Sequence, residues 1–63
     1  MFRDRTQPFT GDHIAIARRL RRMEQRELAR RLGMRQPDLS ELERGRRPIP
    51  TDFEVRLWKA LAE

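Results

Sequence analysis

The sequence predicts an all-α protein, a small four-helix bundle with an extended N-terminal arm. Apolar residues recur at spacings of three and four in four separate segments, which is the spacing of one helix face. No segment alternates apolar and polar residues as a half-buried strand does. A chain of 63 residues makes one domain with a thin core. We therefore assign residues 1–9 to the arm and residues 10–63 to the domain.

Two helices are predicted in the first half of the domain. Thr10 is a suitable N-cap for a first helix over residues 11 to about 22. Its apolar residues are Ile14, Ile16, Ala17, Leu20 and Met23. Residues 27–32 carry a narrow apolar face that predicts the second helix, and Gly33 is expected to end it in the left-handed conformation. That face consists of Leu28, Ala29 and Leu32.

The third helix is predicted to begin near Gln36. Pro37 fits its first turn because the missing N–H would have no partner there, and Asp38 places a negative charge near the positive end of the helix dipole. Its buried residues are expected to be Leu39 and Leu42, with Gly45 as the stop.

An extended, proline-containing linker over residues 46–50 leads to the fourth predicted helix. Thr51 and Glu54 have the spacing of a capping box at its start. The apolar residues that follow at helical spacing are Phe53, Leu57, Ala60 and Leu61. This helix is expected to run almost to residue 63.

The composition argues against catalysis and against metal or cofactor chemistry. There is no cysteine, and the one histidine cannot form a His-rich site, so neither a disulfide framework nor a Cys or His metal site is expected. No catalytic triad and no phosphate-binding glycine loop are visible. The first residues are charged, and apolar residues come in ones and twos. We expect a cytoplasmic protein that is not an enzyme, with no membrane contact, small-molecule substrate or cofactor.

The charge balance points to an anionic partner. Lysine and arginine number 15 against 10 acidic residues, which gives a net charge of +5 and a sequence pI near 11.4. The excess lies in residues 1–35, and nearly all basic residues are arginine. Nucleic acid is the commonest partner of such a domain. An arginine-rich genome or a thermophilic source is the alternative explanation of the excess.

The second and third helices form a recognisable pattern. About four residues, 33–36, join them, which is typical of a helix-turn-helix. Residues 23–51 read MEQRELARRLGMRQPDLSELERGRRPIPT. The spacing of ELA, LG, LS, LE and G resembles the lambda-repressor-like helix-turn-helix family, the phage repressor and Cro type, also called XRE-like. The resemblance covers residues 14–61 and implies a bundle of four or five helices that binds operator DNA.

The resemblance implies a recognition helix over about residues 36–44, lying in the major groove. Its base-reading residues would be Arg35, Gln36, Pro37 and Glu41. Gln36 has the amide that pairs with adenine N6 and N7, and Glu41 either accepts from cytosine N4 or pairs with Arg44. Arg35 contacts either a phosphate or a guanine. Asp38 fits a helix-dipole charge better than a base reader.

The same resemblance implies contacts with the DNA backbone. Gln25 would meet a phosphate at the start of the second helix. The other backbone residues would be Arg26, Ser40, Arg44, Arg46 and Arg47. A solvated basic loop is the alternative reading of the last three. Arg18 and Glu43 match positions that form a structural ion pair in the family.

The predicted function is sequence-specific binding of double-stranded DNA by a small transcriptional regulator, a repressor of phage or bacterial type. A homodimer on a near-palindromic operator is expected, at least on DNA, because one such domain reads few base pairs. The interface would involve Val55 and Trp58 of the fourth helix, or the arm. The alternative is an interaction module of the same fold, antitoxin-like or a polymerase-binding adaptor. Its acidic face would consist of Asp38, Glu41 and Glu43.

Overall fold

The four predicted helices are present in the structure, a computed structural model that describes residues 8–63. Most of the predicted arm, residues 1–7, lies outside the described residues. The helices are α1 (Gly11–Leu20), α2 (Gln25–Leu32), α3 (Gln36–Glu43) and α4 (Phe53–Ala62). No strand occurs within residues 8–63. The all-α fold class is thereby confirmed.

Helix α3 lies against both α1 and α2, and α4 packs on α2. The core between them is formed by Ile14, Ala17, Leu28, Ala29, Leu32, Leu39, Leu42, Phe53, Leu57, Ala60 and Leu61. These include all nine residues predicted as the apolar faces of the second, third and fourth helices. Burial of apolar surface is the main favourable contribution to folding such a domain. One side of α3 is therefore fixed against the interior.

Two residues of the predicted apolar face of α1 are exposed instead. Ile16 is 43% exposed and Leu20 is 70% exposed, whereas Ile14 and Ala17 are buried. At roughly 100° per residue, Ile16 and Leu20 lie about 200° and 240° around the helix from Ile14. The prediction from three-and-four spacing therefore assigned residues of two opposite faces of α1 to one apolar face. The helix also ends at Leu20, two residues earlier than predicted.

The turn after α1 has an arginine where glycine is usual. Arg22 has φ 54°, and its N–H donates to the Arg19 carbonyl at 2.9 Å. The N–H of Met23 donates to the Arg18 carbonyl at 3.1 Å. These two bonds define the glycine-type helix ending called the Schellman motif. A side chain in this left-handed conformation costs about 1 kcal/mol.

Between α2 and α3, Gly33 has the left-handed conformation that the sequence predicts, with φ 70°. Its N–H donates to Arg30 O at 3.1 Å, and that of Met34 donates to Ala29 O at 3.0 Å. Arg35 then precedes α3 with an extended backbone, and Pro37 lies in the first turn. Residues 33–35 thus end α2 and lead directly into α3.

The end of α3 and the start of α4 differ in detail from the prediction. α3 stops at Glu43, with Arg44 as C-cap, and Gly45 follows with φ 74°. α4 begins at Phe53, so its N-cap is Asp52 and the predicted capping box of Thr51 is wrong. With Asp52 as N-cap the third helical position is Val55, which has no side-chain acceptor.

A capping box occurs instead at the start of α1. The predicted N-cap Thr10 has an extended backbone, and its N–H donates to His13 Nδ1 at 2.9 Å. The ring of Phe9 stacks on that of His13, with centroids 5.6 Å apart, and Phe9 packs against the core. The start of α1 is therefore ordered by both hydrogen bonds and packing.

Arg31 of α2 forms polar contacts with the end of α4. Glu27 accepts hydrogen bonds from Arg30 and from Arg31, with Nε of Arg31 at 2.9 Å. These bonds lower the pKa of Glu27 to about 2. Arg31 Nη1 also donates to Ala60 O at 3.1 Å and to Glu63 O at 3.2 Å, at the end of α4. The guanidinium thus donates to carbonyl groups at the end of α4, where few intrahelical donors are available.

Gly11 allows α1 to meet the end of α3. A Cβ atom at this position would lie 2.1 Å from Leu42 O and 2.8 Å from Glu43 O. Both are backbone atoms, which cannot rotate away as a flexible side chain can. Any residue other than glycine would therefore push α1 away from the last turn of α3.

Gly11→Ala is expected to lower the free energy of unfolding by about 3 kcal/mol, because overpacking forces the backbone to move. The control is Gly33→Ala, where an added Cβ has no neighbour within 4 Å and only the positive φ contributes, about 1 kcal/mol. Urea denaturation followed by circular dichroism measures both. Equal losses for the two variants would contradict the close approach.

Arg22→Gly is expected to stabilise the protein, because glycine removes the cost of the left-handed backbone at this turn. The gain should be about 0.5–1 kcal/mol, or a rise in Tm of roughly 4 °C. Arg19→Gly, which removes the same charge inside α1, should destabilise by about 1 kcal/mol. Thermal denaturation of both variants checks the sign, and a fall in Tm for Arg22→Gly would oppose the assignment.

Candidate nucleic-acid interface

The exposed side of α3 and the start of α2 form one continuous polar surface. Arg35, Gln36 and Pro37 are exposed, whereas Ser40 and Glu41 are half-buried. Arg26 is exposed in the first turn of α2. Gln36 Nε2 donates to Gln25 Oε1 at 3.3 Å, which joins the first residues of the two helices. The residues predicted to read bases therefore lie at the N-cap and on the accessible surface of α3, whereas Leu39 and Leu42 are buried.

The opposite end of α3 is held by an ion pair between Arg18 and Glu43. Nε of the guanidinium donates to Oε2 at 2.9 Å, and Nη2 donates to Oε1 at 3.0 Å. The side chains of Arg18 and Glu43 are only 12% and 6% exposed. Arg18 Nη1 also donates to the Met23 carbonyl at 3.0 Å, in the turn after α1. A buried charge needs such complete pairing, because an unpaired one would be strongly destabilising.

Gln25 connects this ion pair to the polar surface formed by the exposed side of α3 and the start of α2. Its Nε2 donates to Glu43 Oε1 at 3.1 Å, while its Oε1 accepts from Gln36. The predicted phosphate contact of Gln25 is untested, but both ends of its amide already have partners within the protein. Sequence reasoning missed this role, since it depends on the start of α2 meeting the end of α3.

The predicted acidic face is smaller than expected. Glu43 is enclosed in the ion pair, so only Asp38 and Glu41 lie on the outer side of α3. Asp38 accepts from Arg35 Nε at 3.2 Å and Nη2 at 3.4 Å, and Arg47 Nη1 lies 3.5 Å from its Oδ1. Each carboxylate oxygen of Asp38 thus faces a guanidinium group.

Glu41 is paired with a different arginine from the one predicted. Arg46 Nη1 lies 3.8 Å from Glu41 Oε2, whereas the sequence suggested Arg44, three residues along the helix. The reason is the turn at Gly45, which brings the backbone N–H of Arg46 to 2.9 Å from the Glu41 carbonyl. Arg44 instead borders a polar groove together with Ser40 and Gln25.

Comparison with known proteins agrees with this geometry. A model of a helix-turn-helix domain family matches residues 11–63. The chain belongs to this family of helix-turn-helix domains, of the phage repressor and Cro type. A search of curated proteins and a search of solved structures each gave no match.

The helix-turn-helix of this domain consists of α2, the turn at Gly33 and α3. Membership of the family indicates DNA as the partner, and families of this domain are generally non-catalytic. Within residues 8–63 no three His, Cys, Asp or Glu side chains come together as a metal site would require. None of the described helices has the length and apolar character that crossing a membrane takes.

Glu43→Gln is expected to lower the free energy of unfolding of the helix-turn-helix domain by about 3 kcal/mol, because it leaves the Arg18 guanidinium buried without its counter-charge. Glu41→Gln removes the same charge from an exposed pair and should change stability by less than about 1 kcal/mol. Urea denaturation compares the two.

An apolar replacement of both partners, Arg18→Met with Glu43→Leu, should recover most of the loss, since a buried ion pair rarely outperforms well-packed apolar residues. If Glu43→Gln and Glu41→Gln were equally stable, the ion pair would have no special role in holding α3.

Proposed function

We propose that this domain binds double-stranded DNA in a sequence-specific manner as a transcriptional repressor, with α3 in the major groove. The observation that supports this most directly is the orientation of α3. Leu39 and Leu42 fix its inner side in the core, and Gln36 and its neighbours point outward beside the start of α2. In helix-turn-helix complexes the N-terminal residues of the second helix contact the base edges.

Gln36 is proposed to read adenine. An adenine offers one donor and one acceptor in the major groove, and a glutamine amide matches them with its oxygen and one N–H. The bond to Gln25 uses one of the two Nε2 hydrogens and restrains the rotation of the amide. Pro37 is proposed to offer apolar surface to a thymine methyl group, and Glu41 to accept from cytosine N4 when Arg46 leaves it.

Contacts with the DNA backbone are proposed for the loop after α3, called the arginine loop (Arg44, Arg46 and Arg47), and for the start of α2. Arg46 and Arg47 are 64% and 54% exposed, and guanidinium groups bind phosphate oxygens in a bidentate manner. Arg44 and Arg26 are also exposed, and Ser40 borders the groove beside α3. The backbone N–H groups at the start of α2 supply the positive end of a dipole where Gln25 lies.

Two copies are proposed to bind one near-palindromic operator, with half-sites one helical turn apart. Val55 on α4 is 58% exposed, and Trp58 on the same helix is half-buried with the Arg21 guanidinium 5.6 Å from its ring centroid. These residues are the proposed contact between copies. Sedimentation of the complex gives the number of chains on each duplex.

The DNA assignment is tested by fluorescence anisotropy with a random-sequence duplex at two salt concentrations. We expect binding at low salt and a fall in log K with log salt of about 0.9 for each phosphate neutralised. Absence of binding by the intact chain at low salt would refute the proposed function. A selection of bound sequences from a random pool then gives the operator.

Two variants separate base reading from backbone contact in the same assay. Gln36→Ala should relax the preference at one base position by about 1–3 kcal/mol, while Arg46→Ala should weaken all sequences alike and reduce the salt slope by about 1. Lys59→Ala, which removes an exposed charge on α4, is the matched control. Identical behaviour of the first two variants would contradict the division of roles.

A further inference from the structure

Asp38 forms two hydrogen bonds with the guanidinium of Arg35 at the start of α3. Arg35 is the N-cap residue and Asp38 lies three residues later, in the first turn. Nε and Nη2 of Arg35 donate to the two carboxylate oxygens at 3.2 and 3.4 Å. Arg47 approaches the same carboxylate at 3.5 Å. The Asp38 side chain is 23% exposed between them, whereas that of Arg35 is 80% exposed.

This contact leaves a defined part of Arg35 available. A guanidinium group is a rigid planar fork with five N–H donors. The carboxylate of Asp38 occupies the edge formed by Nε and Nη2. The remaining edge, formed by Nη1 and Nη2, has two parallel N–H groups. Guanine presents two adjacent acceptors, N7 and O6, that fit such an edge.

We propose that Asp38 is a positioning residue that fixes Arg35 for bidentate recognition of a guanine in each half-site. The inference rests on the proposed function and names part of the DNA sequence that the site takes. It decides between the two partners considered for Arg35, phosphate and guanine. A phosphate would be repelled by the carboxylate against which Arg35 lies, whereas a base edge carries no net charge and accepts two parallel N–H groups from the open edge of the guanidinium.

The inference also gives Asp38 a function other than base reading. Both of its oxygens already accept from guanidinium groups, so neither is oriented towards a cytosine amine. Arg47 has a single contact with Asp38, at 3.5 Å, and its side chain is 54% exposed, so it can turn from the carboxylate towards the phosphate beside the guanine contact. A carboxylate in a groove of negative potential is acceptable here because two cations accompany it.

The two other bidentate pairs of this kind in residues 8–63 differ in their surroundings. In the pair of Arg18 with Glu43, the Nη1 group donates to the Met23 carbonyl, and the arginine is 12% exposed. In the pair of Arg30 with Glu27, the carboxylate is shared with Arg31, which is bonded to the end of α4. Only Arg35 combines a fixed, exposed guanidinium with a position at the start of the recognition helix.

The test compares sites selected from a random duplex pool by the unchanged protein and by Asp38→Asn. The unchanged protein should select a guanine at one position of each half-site. Asp38→Asn should reduce that preference about tenfold, since the orientation of Arg35 is lost, while its affinity for random duplex stays equal or rises because a negative charge is removed. Glu63→Gln, an equal charge change at the end of α4, should keep the guanine preference.

Arg35→Lys is a second variant, which tests the inference even if the Asp38→Asn protein does not fold. Lysine keeps the positive charge but lacks the planar fork that Asp38 can orient, so the guanine preference should weaken while the salt slope stays the same. A guanine preference that survives both substitutions would overturn the inference alone, as would an operator without this guanine. Failure of the unchanged protein to bind any duplex at low salt would instead overturn the proposed function and this inference with it.

Discussion

The ion pair between Arg18 and Glu43 fixes the position of α3, and the presentation of the outer surface depends on it. The apolar core of so short a chain is thin, and at Gly11 the approach of α1 to the end of α3 is limited by backbone atoms. The guanidinium of Arg18 therefore joins three elements: α1, the turn at Met23 and the end of α3. Gln25 extends the same network to α2.

On the outer surface of α3, the two acidic side chains are each paired with arginines of the same chain. Asp38 and Glu41 would weaken a contact with DNA if they stood alone, but Arg35, Arg46 and Arg47 lie against them. The pair at Glu41 is long, at 3.8 Å, and exposed ion pairs are worth little. A phosphate group competes readily for such an arginine, whereas the contact at Asp38 is shorter and consists of two bonds, which define the orientation of the Arg35 guanidinium.

Much of the fold was predictable from local patterns. Each of α2, α3 and α4 has a single apolar face, and Gly33 marks the short turn between α2 and α3. The exceptions have physical causes. In α1 the apolar residues Ile16 and Leu20 lie opposite the core, and periodicity alone cannot say which face a partner covers. The start of α4 moved by one residue from the expected cap at Thr51, since a helix boundary also depends on how the preceding linker packs.

Of the pairings around the candidate site, the ion pair of Arg18 with Glu43 was predictable from the family resemblance and is confirmed, whereas the others were not predictable. The resemblance implied roles in DNA binding for Gln36, Arg35 and the arginines at positions 44, 46 and 47, and the structure shows all of them exposed. The partners of Gln25 and Glu41 depend on contacts between residues far apart in the chain, or on a chain reversal such as that at Gly45. The same bidentate contact of an arginine with a carboxylate occurs near each end of α3. At Glu43 it is buried, so every donor edge has a partner and the contact stabilises the fold; at Asp38 it is exposed, so one edge of Arg35 is left for a ligand. Burial therefore decides which of two chemically equal pairs has all its donors occupied within the protein and which keeps a donor edge open to solvent.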